Sequence, residues 1–166
     1  ARRSGAVPVV LLHGAVSESD GKARVNAVQV VGVEEGFWKL SPSGRSPALA
    51  ANSVSINASL AHKLGVKVGD TVIVRLEAPS AISRDAPLSG STNEEVTLRR
   101  QVAAVISPED FGSFQLTVSQ TGPDSVFVPL GDLQQALEKP ERVNVMLRAD
   151  SKVRSGMQSI DDEIFT

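Results

Sequence analysis

The chain has 166 residues, which suits one domain or two small lobes. Hydrophobic residues make up 41%, enough for a real core, but aromatics only 4%, so aliphatic side chains must fill most of it. The net charge of −2, with no basic block, argues against a phosphate-tracking nucleic-acid surface or a polybasic lipid patch, and the lack of cysteine excludes disulfides, thiolate catalysis and cysteine-ligated metal.

No stretch approaches the roughly 20 apolar residues that span a bilayer. The longest apolar run, Val7 to Leu12, is of strand length and is broken by Pro8. No signal peptide is visible, and the chain opens on Ala1-Arg2-Arg3 without an initiator Met, so it reads as a piece of something longer.

In chain order, Val9 to Val16 predicts a strand, Ser17 to Lys22 a turn with Asp20-Gly21 at its tip, and Arg24 to Val33 a second strand. An Asp-Gly between two β-branched runs is a hairpin signal. Glu34 to Leu40 reads as a turn or a single helical turn carrying Phe37 and Trp38. Ser41 to Ala48, rich in Ser, Pro and Gly, is a surface loop, and Asn52 to Asn57 a short strand.

The stretch Ile56 to Val74 is the unit around which the rest is arranged. Asn57 can cap a helix start, Leu60, Ala61 and Leu64 form one apolar stripe, and Gly65 can take the left-handed conformation that ends a helix. Val66 and Val68 are expected to bury the connection, and Gly69-Asp70 to turn it into a strand from Thr71 to Leu76.

Glu77 to Asn93 reads as a long loop, of the kind usually functional or disordered. Glu94 to Ile106 is a strand expected to pair antiparallel with Thr71 to Leu76. A Pro-Glu-Asp-Phe-Gly turn and a short strand, Phe114 to Val118, follow. Ser125 to Leu130 is a strand closed by Pro129, Gly131 to Lys139 a helix with Leu130, Leu133 and Leu137 on one face, and Arg142 to Arg148 the last strand. Asp150 to Thr166 is a polar tail. No long repeat emerges; Val-Asn recurs at Val25-Asn26 and Val143-Asn144, too little to claim one.

Candidate chemistry is sparse. His13-Gly14 could begin an oxyanion loop, but the Gly-x-Ser-x-Gly nucleophile elbow is missing, so His13 reads as a strand histidine. His62 lies beside Lys63 and reads as a solvated helix residue, since a metal would need three or four ligands. The pairs Glu34-Glu35, Glu94-Glu95 and Asp161-Asp162 are neighbours in sequence, so their side chains diverge rather than converge as an acid–base pair. There is no Gly-x-Gly-x-x-Gly and no Walker loop. Phe37 and Trp38 read as core anchors, with Trp38 packed under the hairpin; the alternative is an exposed contact for a partner. No catalytic, cofactor-binding or metal-binding residue is assigned, and binding or mechanical coupling is the default over an enzyme.

Certain motifs in order carry a resemblance. Val28-Gln29-Val30-Val31-Gly32-Val33 precedes Phe37-Trp38; Val54 to Asn57 precedes Leu60-Ala61, Leu64-Gly65-Val66 and Gly69-Asp70-Thr71-Val72; Val126 to Leu130 precedes Leu133-Gln134; and Val143 to Leu147 ends the series. Over Val25 to Ala149 the chain resembles the extracytoplasmic domain of FtsX-like and MacB-like ABC-transporter permeases.

That resemblance implies an α+β, β-rich fold with short helices, dividing into two lobes as in MacB-like domains. It spans 1–149, with 150–166 a tail leading toward the rest of the permease. It places the domain outside the inner membrane, facing the periplasm, with no chemistry or cofactor of its own. A cognate ABC ATPase, a second permease copy and a periplasmic protein or lipoprotein are the implied partners, and nucleic acid is not. The competing reading is a double-psi β-barrel, a ligand- or peptide-binding module of a soluble protein, because helix–Gly–Val-x-x-Gly-Asp-x-Val is common there too. A hydrolase stands third.

Overall fold

The computed structural model describes residues 5–47, 50–77, 95–116, 119–138 and 142–148. Strand β1 (Ala6–Glu18) turns through Gly21, at φ 72°, into β2 (Arg24–Val33), and the two pair antiparallel as the Asp-Gly signal predicts. Helix α1 (Glu35–Trp38) is the single helical turn expected there. Strand β3 (Ser53–Asn57) runs directly into helix α2 (Ala58–Leu64), which Gly65 ends at φ 66°. Strand β4 (Thr71–Glu77) pairs antiparallel with β5 (Glu95–Ile106) across the long insertion; residues 78–94 lie outside the described ones. Strand β6 (Ser125–Pro129) then runs into helix α3 (Leu130–Ala136), and β7 (Val145–Arg148) follows.

The strands close on themselves. Neighbours run β2-β6-β3-β5-β4-β1, and β1 pairs back to β2, making a six-stranded barrel with β7 added to β1. The pairs β2/β6 and β3/β5 are parallel and the rest antiparallel. The fold is α+β and β-rich with short helices, as expected.

The ring has an internal two-fold. Advancing each of β1, β2 and β3 by three strands gives β4, β5 and β6, and every pairing maps onto another of the same sense. Each half ends alike: a five-residue strand, SVSIN or SVFVP, enters a seven-residue helix without a loop. The sequence reading found no repeat; beyond the shared Ser-Val the halves have little residue identity to betray one.

Alternation along the strands sorts the apolar residues into two cores. The inner one takes Val10, Val16, Val28, Val30, Val72, Val74, Val126 and Val128 from the strands, with Leu60, Leu64, Leu130 and Leu133 from α2 and α3. β-Branched valines suit a wall of six strands, and the longer leucines fill in from the helices. Gly32 lets α3 approach β2: a Cβ there would lie 2.7 Å from Leu133 Cδ2. The outer core is aromatic. Phe37, Trp38 and Phe127 join Val9, Val31, Val33 and Ile106, and Phe111 and Phe114 pack against them. Phe37 lies 5.0 to 5.9 Å from four other rings.

Several local expectations are corrected. Val68 is 57% exposed rather than buried, because the Lys67–Gly69 corner turns its backbone inward: Gly69 N–H donates to Val102 and Lys67 N–H to Asp70 Oδ2. Phe114 to Leu116 is not strand; Phe114 N–H folds back on the Phe111 carbonyl at 3.0 Å, and residues 117 and 118 lie outside the described ones. The helix starts at Leu130 rather than Gly131 and is assigned to Ala136, with Lys139 and Pro140 outside the described residues. The last strand begins at Val145 rather than Arg142, and the tail is also outside them.

Candidate functional site

Asn57 is the polar hub. Its Oδ1 accepts the Leu60 N–H at 3.1 Å, which is the predicted cap, and also the Ser125 N–H at 3.2 Å. Its Nδ2 donates to the carbonyls of Gly112, 2.8 Å, and Pro123, 2.7 Å. One buried amide thus joins the start of α2, the start of β6 and the turn after β5. Asp124 reinforces the junction by accepting from Ser59 at 2.7 Å and Lys63 at 2.6 Å. The cap signal in the sequence showed one of these four bonds; the other three need partners at least 55 residues away. The other half is tied more lightly: Asp132 on α3 accepts the Asn52 N–H at 3.1 Å.

Two clefts follow the same two-fold. One lies where α2 starts beside the end of β5, lined by Ser59, Lys63, Pro108 and Gly122 among others, at about 370 Å³. Its counterpart lies where α3 starts beside the end of β2, lined by Glu34, Glu35, Pro47 and Gly131, at about 470 Å³. A third cleft, on the outer wall at the β1–β2–β4 junction, has His13, Arg24 and Arg75 in its lining.

Asp110 closes the 3-10 turn Pro108–Asp110. Its carboxylate accepts from Ser43 and Ser107 and lies 3.5 Å from Arg45. The Ser43 hydroxyl is the chief reason its carboxyl is held below the ordinary value, with Ser107 and Arg45 adding to the effect and partial burial opposing it.

The sequence-level candidates do not converge, except that His13 and Glu95 share the outer cleft. His62 is exposed on α2, as the solvated helix residue expected, and His13 is a strand residue of β1 whose side chain is exposed. Glu34 and Glu35 are exposed, and Glu35 meets Lys39 at 3.7 Å. Glu95 lies 3.4 Å from Arg75, while Glu94, Asp161 and Asp162 are outside the described residues. Phe37 and Trp38 are fully buried, with Trp38 against strands of the hairpin, which removes the exposed-contact alternative. Among the described residues no three of His, Cys, Asp and Glu are placed to hold a metal ion. Among them, too, no helix is long and apolar enough to cross a membrane.

Asn144 escaped the sequence reading. Its side chain accepts the Leu11 N–H at 2.8 Å and donates to the Leu11 carbonyl at 2.7 Å, copying a strand partner on β1 between β4 and β7. The recurrent Val-Asn pair marked the residue without revealing this role.

The family model described as MacB-like periplasmic core domain matches residues 2–162. No curated protein matches the chain.

Proposed function

The chain belongs to the family of MacB-like periplasmic core domains, extracytoplasmic parts of ABC-transporter permeases, and on that premise we propose that it relays movement rather than catalysing a reaction. ATP binding to the cognate ATPase closes the permease, and its membrane helices carry that closure to this domain as a rigid-body shift. The domain then drives export or extraction of a lipoprotein, peptide or drug, or acts on a periplasmic partner, within a permease dimer. The family match over nearly the whole chain carries this reading. The closed barrel supports it: six strands each paired on both sides leave no free edge in the ring, which suits a body that shifts as a unit.

The test is made in the parent permease, reconstituted with its ATPase. Spin labels at exposed Val68 and Lys39 should keep their mutual distance when ATP is added, while the distance from either to a membrane helix changes. An unchanged domain-to-membrane distance, or a parent lacking apolar spans of bilayer length on either side, refutes the coupling role. The isolated domain should show no thermal shift with ATP.

A second reading is favoured by one observation. The double-psi-barrel alternative expected a barrel, so the closed ring taken alone also suits a ligand- or peptide-binding module. The flanking spans separate the two readings.

A further inference from the structure

Strand β1 slips in register against β2 between Gly14 and Val16, and the chain opposite bulges at Ala27, which takes a left-handed conformation at φ 57°. Such a backbone at a non-glycine residue persists where its surroundings hold it, and it gathers at binding sites. On the other flank β4 runs so close that a Cβ on Gly14 would lie 2.2 Å from the Arg75 carbonyl oxygen. A cleft of about 310 Å³ lies at this junction on the outer wall, and the small residues Gly14, Ala15 and Ala27 are part of its lining.

Two guanidinium groups flank it. Arg24 stands opposite Ser17 in register, and its Nε donates to Asn26 Oδ1 at 2.9 Å. Arg75 donates to Ser17 Oγ at 3.3 Å from the other side, with its Nε 3.4 Å from Glu95. Each fork is thus held along one edge. Among the described residues, Arg75 Nη2 and both Nη atoms of Arg24 have no hydrogen-bond partner. His13 adds a further donor, and Glu95 is the single acid among the described lining residues, in a chain whose net charge is −2.

We propose that this cleft binds an oxyanion, a phosphate or carboxylate group, between the Arg24 and Arg75 forks. Guanidinium geometry matches the paired oxygens of such groups, and forks already oriented lose less freedom on binding. The small lining residues leave room for the anion. The proposal does not depend on the coupling role.

The experiment titrates the ¹⁵N-labelled full chain with sodium phosphate at ionic strength held constant with sodium chloride. Saturable shifts are expected at the amides of Gly14, Ala15 and Ala27. Arg24→Ala and Arg75→Ala should each weaken binding about tenfold, the loss of one charge-assisted pair. Lys39→Ala should leave it unchanged. If Arg75→Ala fails to fold by circular dichroism, Arg24→Ala, an exposed position, still decides. A second arm sediments the chain with phosphatidylcholine vesicles with and without phosphatidic acid. Capture that needs both acid and arginines assigns the oxyanion to a lipid headgroup; saturation by soluble phosphate without capture assigns it to a free anion. Absence of binding in both arms, or binding equal in the arginine variants, overturns the proposal.

Discussion

The two halves of the barrel share a topology but close it by different means. In the first half, β3 ends on Asn57, whose side chain caps α2, and Gly65 ends that helix in the left-handed conformation. In the second, β6 ends on Pro129, α3 begins without a side-chain cap, and Leu137 closes it in an ordinary right-handed conformation. After β2 the first half places a helical turn bearing Phe37 and Trp38 over the wall; after β5 the second places a 3-10 turn, with Phe111 at φ 74° beyond it. Strand pairing therefore leaves wide freedom in how the ends are finished. The polar hub grows from the first half but reaches into the second, so Asn57 and the aromatic packing together hold the seam between them.

Substitutions can break that contrast. The largest effect is expected for Trp38→Ala, which opens a cavity in the aromatic core and should cost about 3–5 kcal/mol in urea unfolding. Its counterpart Phe111→Ala, only half-buried, should cost clearly less. Asn57→Ala removes a cap and leaves buried partners in both halves unpaired, at a cost of about 3 kcal/mol. Asn57→Asp should not rescue it, because a carboxylate would face the Gly112 and Pro123 carbonyls.

Asp110 sharpens the comparison through pH. Its carboxyl sits below the ordinary 3.8 in the folded chain, so its stabilisation is complete above that value and is lost as pH falls through the lowered folded value. Asp110→Asn should therefore be less stable than wild type at neutral pH, with the gap narrowing in acid, as read by thermal melts across that range. The smallest effect belongs to Ser55→Ala. Among the described residues the buried Ser55 hydroxyl has no hydrogen-bond partner, so its removal should be neutral or stabilise by up to about 1 kcal/mol in the same urea assay.

What could be read in the sequence was local. The Asp-Gly hairpin, the Asn57 cap, the Gly65 stop and the antiparallel β4/β5 pair all depend on contacts close in sequence or on simple alternation, and all stand in the structure. The parallel β2/β6 and β3/β5 pairs join residues at least 48 positions apart, and no periodicity announces such a partner. The outer cleft was illegible for the same reason. Arg24 and Arg75 look like ordinary strand arginines until the closing of the ring puts them on either side of β1. Val68 was misjudged because hydrophobicity alone does not show which way a tight corner points its side chain.

The pairing of Ala6 with Arg148 has a consequence for whatever carries this barrel. The chain comes in and goes out through one doorway, with the two passages about 5 Å apart, one strand spacing. A host protein can hold the whole unit as a bead on a closed loop, without its own flanking segments having to part. Any tug those segments deliver together arrives at a single spot, one ladder's length along β1 and β7 from the Asn144 clasp.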